Sequence, residues 1–230
     1  MVTMPPRVRR PLMGDELLRS LGDIPAHRVC FDPPPGQATE ADLLAYLEGP
    51  EKRLFELVDG TLVEKPMGAK ESGIATQLSR RLGNWSEAAG DLGMILGEAG
   101  TLRFLGRQVR MPDVSFTFWS RLPGGHYPAE AIPDLAPDLA VEVLSDSNTP
   151  AEIARKLGEY FADGTRLAWV IDPDARTARA HTSPEVWADL TAADALDGAD
   201  VLPGFLLPLA DLFAKLPPVP PKSKRKKKAG

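Results

Sequence analysis

The sequence predicts a mixed α/β (α+β) domain in which helices flank a central mixed β-sheet. Amphipathic helix-type segments alternate along the chain with short apolar runs of strand length, an order typical of helices packed against a sheet. The pair Asp59-Gly60 stands between two β-prone runs, which is the strongest short-range signal for a hairpin. We therefore expect the domain to carry an N-terminal β-hairpin extension.

Inside the domain, the predicted elements follow in the order helix, hairpin, helix, strands, helix, strands. The helices are expected at residues 41–47, 71–85 and 151–162, and the hairpin at 53–65. The apolar spacing of the second helix and the capping box with proline that opens the third support these assignments. The strands are expected at residues 93–99, 101–105, 113–119, 138–145, 167–172 and 177–182.

Composition excludes several protein classes. The 230 residues are 43% hydrophobic and 26% charged, which is ordinary for a globular domain. A single cysteine, Cys30, rules out an internal disulfide framework. Because no apolar run is long enough for a membrane span or a signal peptide, we expect a cytoplasmic protein without membrane contact.

Proline and charge divide the chain into three parts. Residues 1–37 form a proline-rich leader that we expect to be partly ordered, and residues 38–215 form the domain. Residues 216–230 are expected to be a disordered basic tail, because their apolar surface is too small to offset ordering entropy. The tail cations are Lys222, Lys224, Arg225, Lys226, Lys227 and Lys228. Without them, 21 basic residues oppose 32 acidic ones, a formal charge of −11.

Glu142 is the most informative residue. The strand at 139–144 is apolar on both faces except at this glutamate, and a buried carboxylate is costly unless a cation pairs with it. A strand end that reaches solvent would also explain it, as would an arginine partner. The arginines considered are Arg103, Arg107 and Arg110.

Asp113 is a second candidate carboxylate. It stands at the start of a strand, on the face opposite the apolar residues Val114 and Phe116. A surface aspartate that begins a strand is one interpretation. On a strand next to Glu142, it would instead complete a pair of hard oxygen ligands of the kind that Mg²⁺ binds.

Lys156 and Glu71 are candidates on predicted helices. Lys156 lies at the edge of the core-facing stripe, from which its ammonium could reach the strand ends. The alternative is a solvated i, i+4 ion pair with Glu152. Glu71 is either a further metal ligand or an acid favoured by the helix dipole. Zinc-type spacing, a nucleophile elbow, a P-loop and a dinucleotide motif are all missing from the sequence.

Three segments resemble, in order and spacing, the Uma2-like (DUF820) endonucleases of the PD-(D/E)XK superfamily. They are FELVDGTLVEKP, VRMPDVSFT and PDLAVEVLSDSNTPAEIARKLGEYFADGTRLAWVID. The resemblance covers residues 38–215 and implies a restriction-endonuclease-like fold. It also implies that Asp113 is the aspartate of the PD motif and Glu142 the acid of (D/E)XK. The usual lysine is replaced by Leu144, and Lys156 matches the helix lysine that takes over.

The implied activity is Mg²⁺-dependent hydrolysis of phosphodiester bonds in DNA, with Mn²⁺ as a substitute. Asp113, Glu142 and Glu71 would be metal ligands, Glu71 standing where many family members have histidine. Lys156 would orient water or stabilise negative charge. Glu56 also matches a recurring family acid, although its place in a hairpin explains it too. The basic tail would attract phosphates, and cutting both strands would favour a homodimer.

Two other interpretations stay open on sequence grounds. The chain could be a catalytically silent module of the same fold that binds nucleic acid or a protein partner. Alternatively, the acids could be purely structural, with Glu142 paired to an arginine in the core.

Overall fold

The structure, a computed structural model, describes residues 14–50, 53–66 and 68–217. The helices in these ranges are α1 (Gly14–Ser20), α2 (Glu40–Glu48), α3 (Ala69–Ala88), α4 (Pro150–Ala162) and α5 (Leu209–Phe213). None of them combines the length and hydrophobicity that crossing a bilayer requires. The predicted disorder of the basic tail concerns residues that, apart from 216 and 217, lie outside the described ranges.

The described strands form three sheets. The strands are β1 (Phe55–Val58), β2 (Thr61–Glu64), β3 (Gly93–Gly97), β4 (Leu102–Phe104), β5 (Gln108–Arg110), β6 (Val114–Phe118), β7 (Leu139–Val143), β8 (Leu167–Asp172), β9 (Thr177–His181), β10 (Trp187–Leu190), β11 (Ala195–Asp197) and β12 (Leu206–Pro208). Their orders are β10-β9-β8-β7-β6-β3, β2-β1-β5-β4 and β11-β12. The pair β7 and β8, joined through α4, is parallel, and the other pairs are antiparallel. The mixed α+β fold is confirmed.

The predicted hairpin is confirmed as β1 and β2, which pair antiparallel from Phe55↔Glu64 to Val58↔Thr61. Asp59 and Gly60 have φ angles of 48° and 72°, the left-handed conformation that a tight primed turn requires. The hairpin is one half of a four-stranded sheet, because β5 pairs with β1 and with β4. The sequence analysis did not predict β5, β10, β11, β12 or α5.

The six-stranded sheet carries a helix on each face. On one face, alternate residues of β7 such as Val141 join Ile74 and Leu78 of α3 in the main apolar core. On the other face, α4 packs Ile153 and Leu157 against β8. Because side chains alternate along a strand, Glu142 lies on the α4 face, between residues that lie on the α3 face.

The described part of the leader packs against the rest of the chain. Leu17, Leu21 and Ile24 are buried with Val58 and Val63 of the hairpin. A little further on, the leader meets the first turn of α4, where Gly22 lies so close to the Glu152 backbone that a β-carbon would clash. The leader therefore helps to fix the position of α4.

Candidate active site

Six charged side chains are buried together between the four-stranded sheet, the start of β6, β7 and α4. None is more than 8% exposed. They are Glu56, Lys65, Arg110, Asp113, Glu142 and Lys156, and we call them the charge cluster. Among these six, three are carboxylates and three are cations, and Arg110 also contacts a further buried acid, Glu159, at 2.6 Å.

Glu142 binds two side chains of α4. Its Oε2 accepts a hydrogen bond from Lys156 Nζ at 2.9 Å, and its Oε1 accepts one from the Tyr160 hydroxyl at 2.6 Å. The i, i+4 spacing puts the lysine and the tyrosine on the same helix face. The expectation that Glu142 needs a cation is confirmed, and its partner is the predicted lysine.

The arginine pairing considered for Glu142 is wrong. Each of the three arginines contacts another acid, because the four-stranded sheet and the helices bring other carboxylates closer to them. The contacts are Arg103 with Glu40 at 2.7 Å, Arg107 with Asp59 at 3.8 Å, and Arg110 with Glu56 at 3.0 Å and Glu159 at 2.6 Å.

A solvated ion pair between Lys156 and Glu152 is also not found. Lys156 is 2% exposed, and its Nζ lies 3.0 Å from Glu56 Oε1. Glu152 is buried and takes a bidentate pair from Arg28 of the leader, at 2.7 and 2.9 Å. The four-residue spacing does not produce a surface pair because both side chains point into the protein.

Asp113 lies against β7 on both sides of Glu142. Its backbone N–H donates to the Val141 carbonyl at 2.8 Å, and its Oδ2 accepts from the Val143 N–H at 2.6 Å. Its Oδ1 lies 2.8 Å from Lys65 Nζ. The structure therefore brings Asp113, Glu142 and Lys156, the three predicted catalytic residues, into one region.

Lys65 is one residue that the sequence analysis missed, and Tyr160, the hydroxyl partner of Glu142, is another. Its ammonium is 2.8 Å from Asp113 Oδ1 and donates to the carbonyls of Met111 at 2.6 Å and Glu98 at 3.0 Å. The signal available was alternation, because Thr61, Val63 and Lys65 share the same side of the extended chain. A lysine continuing that buried series could have been recognised as an internal cation.

Glu71 lies at the start of α3, as predicted. Its carboxylate folds back over Gly68, the residue before the helix, and it lies 3.5 Å from Lys70 Nζ. This placement matches the helix-dipole interpretation. Within the described ranges, no three or more His, Cys, Asp or Glu side chains form a group arranged to hold a metal ion, so a metal-ligand role for Glu71 stays a prediction.

The pKa values of Glu142 and Glu56 are shifted in opposite directions. Burial raises the pKa of Glu142, and the negative charges of Asp113 and Glu56 raise it further against the opposing effect of Lys156. Burial would also raise the pKa of Glu56, but Lys156, Arg110 and Lys65 outweigh it and lower that pKa to about 2. Glu56 is therefore the firmly ionised acid, and Glu142 is the acid that is costly to ionise.

The pKa values of the two α4 residues that contact Glu142, Lys156 and Tyr160, are both raised. Burial alone would lower the pKa of Lys156, yet Glu142, Glu56 and Glu152 raise it. Burial raises the pKa of Tyr160, and the neighbouring Glu142 charge adds to that rise. Lys156 thus stays an ammonium and Tyr160 a hydroxyl donor across the physiological pH range.

A cavity of about 390 Å³ lies beside the cluster, between α4 and strands β8 to β10. Leu144, Leu157, His181 and Trp187 are among its lining residues, and none of the six cluster residues lines it. This cavity is therefore separate from the cluster, of which Asp113 is the most exposed member.

The donor set suits a hard cation. Asp113 and Glu142 offer carboxylate oxygens from neighbouring strands, and Mg²⁺ commonly takes one or two protein carboxylates while keeping several waters. In such a site the protein would supply two ligands, and water or substrate oxygens would supply the rest. The carboxylate oxygens of this pair are therefore of the type that Mg²⁺ binds.

Comparison with solved structures finds the same fold in another protein. The chain resembles the crystal structure of a protein from Anabaena variabilis that is described as "a putative nuclease belonging to DUF820", with a TM-score of 0.64 and 24% sequence identity. The match covers 75% of this chain and 97% of that one, and at this identity it establishes the fold.

The family follows from the sequence profile. The Uma2 profile, described as "Putative restriction endonuclease", matches residues 40–210. The chain therefore belongs to the Uma2 family, as the resemblance predicts. No functionally curated protein matches the chain.

Proposed function

We propose that this protein is a Mg²⁺-dependent DNA endonuclease, for which Mn²⁺ can substitute. The observation that carries the proposal is the Glu142–Lys156 pair beside Asp113. With Leu144 at the usual lysine position, the α4 lysine supplies an ammonium to the acid of the motif. Membership of a family described as "Putative restriction endonuclease" supports hydrolysis of nucleic-acid phosphodiesters.

In this mechanism Asp113 and Glu142 would hold the metal, with Glu71 as a proposed further ligand. Bound Mg²⁺ supplies activation of a water and neutralisation of phosphate charge. Lys156 would position the attacking water or stabilise the developing negative charge. In the described part of the chain Lys156 contacts two acceptors, Glu142 and Glu56, so the third of its three N–H donors is available for a substrate oxygen.

Tyr160 is a positioning residue in this proposal. Its hydroxyl holds Glu142 Oε1 at 2.6 Å, which fixes the carboxylate while Oε2 faces the ammonium. The basic tail would add sequence-independent attraction to phosphates, weakened by salt. We further propose a two-fold homodimer as the form that cuts both strands.

The proposal is tested on supercoiled plasmid DNA with the full chain. We expect Mg²⁺ or Mn²⁺ to support nicking or linearisation and EDTA to stop it. Glu142→Gln keeps the size of the side chain and should lower the rate on the order of 10² to 10³-fold. The matched control is Glu87→Gln, an exposed acid on α3, which should cleave like wild type. Identical digests from wild type and Glu142→Gln would rule the proposal out.

The ion pairs of the cluster favour a second candidate, a silent nuclease-fold module that binds nucleic acid. Three cations already compensate three carboxylates, so the cluster needs no metal to be stable. For such a module, gel retardation of DNA would persist without cleavage and without a response to Mg²⁺. Truncation before Lys222 would then abolish retardation, because the tail would supply the phosphate contacts.

A further inference from the structure

The ammonium of Lys65 is surrounded by oxygen atoms of the kinds that bind metal ions in proteins. Its ammonium has three N–H donors and three oxygen acceptors, namely Asp113 Oδ1, the Met111 carbonyl and the Glu98 carbonyl, at 2.6 to 3.0 Å. One carboxylate and two backbone carbonyls are the oxygen types that bind hard cations in proteins. The side chain is only 3% exposed, so the ammonium is a fixed internal charge.

Lys65 differs in this respect from Lys156. Lys156 faces two carboxylates, whereas Lys65 faces one carboxylate and donates hydrogen bonds to two backbone carbonyls. The carbonyl partners of Lys65 come from the ends of two separate segments, after β3 and after β5. Its position is therefore set by backbone that does not move with a carboxylate rotamer.

We propose that Lys65 is a resident cation that competes with a divalent metal ion for the Asp113 carboxylate. This inference rests on the metal site of the proposed function and adds a residue to it. With the ammonium in place, Asp113 is compensated and the cluster folds without metal. A divalent ion must then bind against the repulsion of a nearby positive charge, so Lys65 sets the metal affinity of the site.

The test is the affinity for Mn²⁺, measured on the full chain by electron paramagnetic resonance of free Mn²⁺. Lys65→Met removes the charge but keeps most of the side-chain volume. We expect it to bind Mn²⁺ roughly tenfold or more tightly than wild type, because a close like charge is gone. The control Lys215→Met removes an exposed lysine just beyond the end of α5, and its affinity should be unchanged.

A second readout is thermal unfolding in Mn²⁺ and in EDTA. Lys65→Met leaves Asp113 without its cation, so its melting temperature should fall in EDTA and recover when Mn²⁺ binds the native state. Wild type should respond much less. Adding Asp113→Asn to Lys65→Met should remove both the affinity gain and the Mn²⁺ dependence.

Each outcome decides the inference. A folded Lys65→Met with Mn²⁺ affinity no higher than wild type would overturn it, and so would a variant that fails to fold even in Mn²⁺, since the metal is expected to replace the ammonium. These readouts are independent of cleavage. If no variant cuts DNA but Lys65→Met gains Mn²⁺ affinity, the proposed activity fails while the role of Lys65 stands.

Discussion

The two faces of the six-stranded sheet bury their side chains by different means. On the α3 face, β7 contributes Leu139, Val141 and Val143 to an apolar core that needs no specific partners. On the α4 face, the same strand contributes Glu142, which is 4% exposed and depends on Lys156 and Tyr160. One strand thus serves two environments through the alternation of its side chains.

The α3 face mainly stabilises the fold, whereas the α4 face carries the charged groups of the candidate site. Burial of apolar area on the α3 face is favourable without directional constraint, whereas a buried ion pair is weak evidence for stability because desolvation offsets the attraction. The charge cluster is therefore better explained by a function of the site than by a need of the fold. Variants on the two faces should therefore differ in their loss of unfolding free energy, in the pH dependence of that loss and in DNA cleavage.

The largest effect is expected for Glu56→Gln. It leaves Lys156 and Arg110 buried with one carboxylate fewer, which typically costs about 3–5 kcal/mol of unfolding free energy. The pKa of Glu56 is lowered to about 2, so its contribution is complete above its ordinary pKa of 4.5 and is lost as pH falls toward 2. In urea unfolding between pH 7 and 3, the difference in unfolding free energy between wild type and Glu56→Gln should become smaller below about pH 4.5.

The control for that pH dependence is Glu142→Gln. The pKa of Glu142 is raised, so the stabilisation linked to its protonated form is present below its ordinary pKa and lost as pH rises. As pH increases, wild type should therefore lose stability relative to Glu142→Gln. This pH dependence has the opposite sign to that expected for Glu56→Gln. A gap for Glu56→Gln that stays constant with pH would contradict the assignment of Glu56 as the ionised acid.

On the α3 face we expect a loss of unfolding free energy of comparable size that comes from apolar packing alone. Leu78→Ala removes a fully buried side chain of the main core and should cost about 2–5 kcal/mol in urea unfolding. The loss should not vary with pH or with Mn²⁺, and cleavage per folded molecule should be unchanged. Arg80→Ala, on the exposed side of the same helix, should stay within about 0.5 kcal/mol of wild type. A strong dependence of the Leu78→Ala loss on Mn²⁺ would show that the two faces are not independent.

The smallest effect is expected for Tyr160→Phe. It deletes one hydrogen bond to a charged group, worth about 1.5–3 kcal/mol, and leaves the Lys156 contact in place. If Tyr160 positions Glu142, the rate of DNA cleavage should fall while the Mn²⁺ affinity changes little. The exposed Tyr127 (64% exposed) gives the matched control, Tyr127→Phe. An unchanged cleavage rate in Tyr160→Phe would leave the hydroxyl a structural role only.

Sequence signals identified the parts of the site that are local in the chain. Glu142 stands out because it is the one charge in an apolar strand, and Lys156 because it borders the core stripe of the next helix. Their pairing spans 14 residues, a strand and the helix that follows it. The resemblance to the Uma2 family added Asp113, which its strand position alone did not single out.

Other parts depend on distant contacts that no local pattern encodes. Lys65 meets Asp113 across 48 positions of the chain, through the pairing of the four-stranded sheet, whose strand β5 has only three residues. The spacing of Glu152 and Lys156 predicted a surface pair, but tertiary packing turned both side chains inward. Alternation and spacing define a face, and the identity of the partner on that face is set by the fold.

The contact between Arg28 and Glu152 has a consequence for the order in which the chain folds. The two residues are 124 positions apart, while Glu142 reaches Lys156 and Tyr160 over 14 and 18 positions. Closing a longer loop costs more entropy, so we expect β7 and α4 to dock first and the leader to join last. During synthesis Arg28 leaves the ribosome well before Glu152 is made, so the leader waits for the helix that it binds.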